Sequence, residues 1–238
     1  MMDIGLLVSI IVTVAIPALF VTPRPLTAVP RGLIDTTLGA VVVGLIIGRL
    51  SAVALDDPGS LTTLSSLLVI RSGVEFWPAL VAGTLWLMLG ARSDGTPPWL
   101  RLAAVAPAAM IGWAGYEATC LVRGGCPGPR STIGLRPDGL TATVFPIGLA
   151  VAAAAVIAAL LLRRMCSRES TPTVALSAVA LIGLIRSVAS IWLPHVGAGW
   201  TRQHRTSIVM SALAVIGLAI LRLESTRRSH ATEHPAAA

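Results

Sequence analysis

The sequence predicts an all-α, polytopic membrane protein of about seven transmembrane helices, N-terminus outside and C-terminus cytoplasmic. Three observations predict it. First, the 238 residues are 55% hydrophobic and 12% charged, with a mean hydropathy of +0.82, outside what a water-soluble domain carries. Second, apolar runs long enough to cross roughly 30 Å of hydrocarbon recur along the whole length. Backbone in lipid must satisfy its own hydrogen bonds, so such runs are helices. Third, all 18 basic residues are arginine, and they gather in the short stretches between the runs.

In chain order the expected spans are residues 4–22, 33–55, 74–91, 99–122, 141–162, 174–193 and 206–221. The first follows Met1-Met2-Asp3, which lacks the positive flank of a cleaved signal, and is read as retained. The second carries Gly44-Leu-Ile-Ile-Gly48, a small-xxx-small pair that lets a neighbouring helix approach closely. Residues 61–70 are apolar but too few to cross, so they are expected to lie at the interface or re-enter. Trp77, Trp99, Trp192 and Trp200 fall near span ends, as interfacial anchors do. Residues 1–223 thus form one transmembrane domain. Residues 224–238 are polar, end in Pro-Ala-Ala-Ala, and are expected to be a disordered cytoplasmic tail.

Orientation rests on the loop arginines. Ten fall on one side, including Arg92, Arg101, Arg163 and Arg164. Six fall on the other, with Asp3, Asp56, Asp57 and Asp138. The richer side is cytoplasmic by the positive-inside rule. No basic stripe with interleaved aromatics occurs, which argues against nucleic acid as a partner. No clustered His and Cys suggests a metal, and no cofactor motif is present. His195 and His204 flank the loop after the sixth span and His230 and His234 lie in the tail, positions where histidine is usually solvated.

Charge inside a transmembrane helix is costly, so each instance is a candidate for function. Arg49, Glu75, Glu117 and Arg186 are the four, and with the orientation above they converge on the outer leaflet. One reading is mutual neutralisation. Another is that planar guanidinium groups capture the phosphate of a phospholipid headgroup entering from the side. Cys120 and Cys126 sit at the outer mouth of the fourth span, either as a disulfide clamping the loop or as small buried thiols. Cys166 falls in a cytoplasmic loop and is expected to be a free thiol.

With these residues in order, the chain resembles the prolipoprotein diacylglyceryl transferase family of bacterial inner-membrane enzymes. Gly44-Leu-Ile-Ile-Gly48-Arg49 looks like the Gly-x-Arg that ends the family's second span. Ile70-Arg-Ser-Gly73-Val-Glu-Phe76-Trp-Pro-Ala-Leu resembles the lead into the third. Ala106-Pro107, Gly112 and Gly128 keep the length of the fourth-span signature, and Gly183-Leu-Ile-Arg186 matches the Gly-x-x-Arg of the sixth. Most polar slots differ. Trp77 stands in the histidine slot, Glu117 in an arginine slot, Cys120 and Arg123 in asparagine slots, and Gly125 in a glutamate slot. Phe145-Pro146 replaces His-Pro, Ala150-Val151 replaces Tyr-Glu, and Ser190 replaces the glutamate four residues after Arg186. Cys120, Gly124, Cys126 and Gly128 fit a cysteine-bearing version of the signature, which places the chain on a divergent branch.

The resemblance implies transfer of a diacylglyceryl group from phosphatidylglycerol to the lipobox cysteine thiol of a prolipoprotein, releasing glycerol phosphate, in the bacterial inner (plasma) membrane. Such a reaction needs a thiolate nucleophile and stabilisation of the leaving phosphate. Arg49 and Arg186 are the phosphate candidates, with Arg123 and Glu75 beside them, and Glu117 is the candidate base. The alternative is a catalytically inactive lipid-binding or accessory membrane protein that keeps the fold.

Overall fold

The computed structural model describes residues 8, 11–13, 15–17, 32–56, 58–59, 74–121, 128–136, 141–192 and 200–233. The protein is almost entirely helical: α1 (Leu33–Asp56), α2 (Phe76–Ser93), α3 (Pro98–Ala118), α4 (Ile147–Met165), α5 (Thr171–Trp192) and α6 (Arg202–Glu233). A 3₁₀ turn, Thr119–Leu121, follows α3, and a short strand, β1 (Arg130–Leu135), precedes α4. The residues described within the first expected span are helical as well. Residues 61–70, Arg123, Cys126 and His195 lie outside the described residues.

Four helices are long and apolar enough to cross a membrane among the described residues: Leu33–Asp56, Ile147–Met165, Thr171–Trp192 and Arg202–Arg227. Their large apolar side chains point outward. Leu45 and Ile46 of α1, Ile157 and Leu160 of α4, and Leu213 and Ile216 of α6 are all exposed. Such faces would associate in water and are at home in hydrocarbon. Small residues instead line the contacts, as helices packing in lipid require.

The chain divides into two compact units, Leu26–Val105 and Met1–Pro25 with Ala106–Ala238. In the first, α1 and α2 pack antiparallel along a seam of small residues. A Cβ on Gly44 would stand 2.8 Å from the Ala79 carbonyl oxygen, one on Gly83 3.0 Å from that of Ala40, and one on Gly90 2.9 Å from Thr36. The Gly44-xxx-Gly48 pair thus occupies the seam its spacing predicts. Thr36 and Thr37 turn their hydroxyls back onto the Gly32 and Leu33 carbonyls at 2.7 and 2.6 Å, hiding polar atoms in the first turn.

Arg101 departs from the sequence reading, which puts it in a loop. It is fully buried at the start of α3 and ion-paired with Asp94. A Cβ added to Gly90, in the last turn of α2, would stand 2.8 Å from Arg101 Nη1. A cation beside a helix C-terminus and a carboxylate is favourably placed, which explains why this arginine folds inward. The Thr96 hydroxyl and backbone N–H, together with Arg101, hold the Asp94 carboxyl below the usual carboxylate range. Its stabilising effect is therefore present above about pH 4 and lost as the pH falls through the lowered value. Thermal melts of the parent should drop in acid relative to Asp94→Asn, and parallel pH curves would refute this.

In the second unit, α5 and α6 form the most extensive pair. A Cβ on Gly183 would meet the Ser207 carbonyl oxygen at 2.9 Å and Ser211 Cβ at 2.8 Å, and Ser211 Oγ donates to the Ala180 carbonyl at 3.2 Å. α4 and α5 join through the turn around Cys166. The start of α4 abuts the end of α3, where a Cβ on Gly148 would stand 3.0 Å from the Glu117 carbonyl oxygen. The last helix differs from expectation, running past residue 224 to Glu233. Glu224, Arg227, Arg228 and Ala231 in that stretch are good helix formers, so a helix already nucleated extends through them.

Candidate functional site

Among the described residues, the sequence-nominated charges are placed by a close backbone contact, an aromatic neighbour or a side-chain hydrogen bond. In the Leu26–Val105 unit, the Glu75 N–H donates to the Gly48 carbonyl at 3.0 Å. That bond exists because Gly48 has no side chain: a Cβ there would meet Val74, Ala79 and the Glu75 carbonyl oxygen at 2.5–2.9 Å. Glu75, which precedes α2, and Arg49 of α1 are thereby brought to the same end of the pair, both half-buried. Trp77 is not the exposed anchor expected from its position. It is buried, with Phe76 edge-on at 5.4 Å.

In the other unit, Glu117 lies in the last turn of α3. Its Oε1 accepts from the Trp113 indole N–H at 3.0 Å, one helical turn earlier. Trp113 in turn packs on a cluster of Ile147 and Val151 from α4 with Ala189 and Ile185 from α5. Ile185 and Ala189 flank Arg186, so Glu117 is tied through one aromatic ring to the strip of α5 that carries the arginine. Arg186 Nη2 donates to Gln203 Oε1 at 3.2 Å, across to the first turn of α6.

One turn further along α5, Ser190 Oγ lies 2.6 Å from His204 Nδ1. Sequence reading treats His204 as a solvated loop histidine. The structure puts it inside α6, half-buried, because α6 begins at Arg202 with Thr201 capping it: the His204 N–H donates to Thr201 Oγ1 at 3.1 Å. The signal was present as a Thr three residues before the histidine, and as Ser190 four residues after Arg186, on the same helical face.

Cys120 is buried and disulfide-bonded, whereas Cys166 is free. Beyond Cys120, Ser131 N–H donates to the Thr143 carbonyl at 3.0 Å and Phe145 N–H to the Pro129 carbonyl at 2.9 Å, so β1 pairs antiparallel with Val144. A Cβ on Gly128 would run into the Phe145 carbonyl oxygen, which makes glycine obligatory there. Burial pushes the Cys166 thiol up, against a smaller opposing effect of a backbone N–H.

Apolar faces turned outward, small-residue seams inside and charges gathered at helix ends define an integral membrane protein with polar chemistry at the margin of its apolar core. The family model for prolipoprotein diacylglyceryl transferase matches residues 3–223, and the chain belongs to that family. No curated protein matches it. At the level of the family, the match supports a transferase-like function with lipid and lipoprotein substrates in a membrane.

Proposed function

We propose that the protein is a phosphatidylglycerol–prolipoprotein diacylglyceryl transferase of the bacterial plasma membrane. The observation that carries this is the family match over nearly the whole chain, joined to retention of Arg49 and Arg186 where the family's motifs have arginine. On this reading the guanidinium groups of Arg49, Arg186 and Arg123 bind the phospholipid phosphate, and Glu75 is a further phospholipid-binding residue. Glu117 stands by as the carboxylate that the sequence nominates for the thiol proton. The test is transfer of labelled diacylglycerol from phosphatidylglycerol to a lipobox peptide in membranes carrying the protein. No product under conditions where an active relative works would reject it.

Burial of Trp77, in the slot where the resemblance has histidine, favours a second reading: a lipid-binding accessory protein without turnover. That protein would co-purify phospholipid, and substitution of Arg49 or Arg186 would reduce the lipid retained. Unchanged lipid in both variants would count against it.

The proposal includes seven spans, an external N-terminus, an internal tail and a bridge from Cys120 to Cys126. Labelling with a membrane-impermeant maleimide tests these together. In intact cells Cys166 should stay unlabelled, and Cys120 and Cys126 should react only after reduction. Labelling of Cys166 from outside would invert the topology. Reaction of Cys126 without reductant would remove the bridge.

A further inference from the structure

Ser190 has a single hydroxyl hydrogen and two groups within reach of its Oγ: the Ser187 carbonyl at 2.8 Å, which can only accept, and His204 Nδ1 at 2.6 Å, whose role follows its tautomer. Both contacts are hydrogen bonds at once in one arrangement only: the hydroxyl hydrogen on the carbonyl, Ser190 offering His204 a lone pair, and the ring Nδ1 as donor. A neutral imidazole carries one N–H. With that hydrogen on Nδ1, Nε2 is left bare and able to accept a proton. The ring is also held from other directions, by the Thr201 cap on its backbone and by Trp200, edge-on at 5.0 Å. Gln203, the next residue, is the partner of Arg186. An imidazole of fixed tautomer and a guanidinium thus share one cluster at the meeting of α5 and α6.

We infer that His204 is the base of the reaction and Ser190 its positioning residue, an assignment that rests on the transferase reading above. Nε2 takes the proton of the acceptor cysteine. The sulfur electron pair forms a bond to the glyceryl carbon that carries the phosphate. The carbon–oxygen bond breaks, and its electron pair leaves on the phosphate oxygen beside the guanidinium of Arg186. The protonated imidazole then returns its proton to the departing glycerol phosphate or to water. This fills the role left open where Trp77 replaces a histidine, and it relieves Glu117, whose Oε1 already accepts from Trp113. It also excludes Ser190 as a nucleophile activated by His204, since the serine accepts rather than donates in that contact.

Two measurements on the full chain in detergent or membranes decide the matter. Nitrogen NMR of histidine-labelled protein, with the His204 signals identified by their loss in His204→Gln, reads the tautomer. Hydrogen on Nδ1 is expected, with the bias lost in Ser190→Ala and kept in Ser190→Thr. Hydrogen on Nε2 overturns the inference whatever the activity. In the transfer assay with phosphatidylglycerol and a lipobox peptide, His204→Gln keeps a donor for Ser190 but cannot act as a base. Transfer should fall by about 10²–10⁴-fold, with co-purified phospholipid unchanged. A parent that transfers beside a His204→Gln variant within about threefold of it removes the base and leaves the transferase reading standing. A parent that does not transfer removes that reading and the base with it.

Discussion

Arg186→Ala is expected to lower transfer by about 10²–10³-fold, the usual consequence of removing one charge donor from a developing oxyanion. The leaving group departs with one more negative charge than the phosphodiester brought. A guanidinium fork placed there is worth more in the transition state than in the ground state. Arg186 is half-buried, and its Nη2 donates to the neutral Oε1 of Gln203, which orients the group. Arg186→Lys keeps the charge and loses the fork, so its rate should lie between the two. Membrane accumulation measured alongside separates lost chemistry from lost protein. A normally accumulated Arg186→Ala variant with the parent's rate would remove Arg186 from the site.

Gly48→Val should cost about 1–3 kcal/mol of stability, read as a lowered unfolding midpoint in detergent. The new Cβ would sit 2.5 Å from Val74 Cγ1, 2.8 Å from Ala79 Cβ and 2.9 Å from the Glu75 carbonyl oxygen. Two of these three are a backbone oxygen and a Cβ, which cannot swing aside, so α2 itself must move. Because the Gly48 carbonyl also receives the Glu75 N–H, that movement shifts Glu75 and should lower phospholipid retention as well. Gly95→Ala is the comparison. Its φ is +71° but nothing lies within 4 Å of the added methyl, so it should cost about 1 kcal/mol and leave lipid retention alone. Equal effects of the two on lipid retention would contradict the seam as the support of that end of α1.

Much of the architecture was legible because the deciding properties are local. The run Leu33–Asp56 is apolar for longer than a bilayer is thick, and Gly44 and Gly48 stand one turn apart, so a span and its contact face can both be read without knowing the partner. β1 was not legible: Arg130–Leu135 is six residues long and mostly exposed, too short for an alternating pattern to register. Arg101 was misread for a different reason. Its position between apolar runs is what a loop arginine looks like, and only the return of α3 against the end of α2 makes it a buried cation.

The candidate site divides the same way. Arg49, Glu75, Glu117 and Arg186 announce themselves because a charge in an apolar helix is anomalous in one dimension. Ser190 and His204 do not, since serine is unremarkable in a helix and His204 falls at a helix start whose exact turn is invisible until the cap forms. The sequence by itself determined the solvent, most of the long helices and the family. Tertiary structure alone decided which faces of nearly uniform apolar helices meet. Helices that are apolar all round carry no stripe to say which side is inward, so the pairing of α5 with α6, and the contact of Ser190 with His204, exist only once the two are packed.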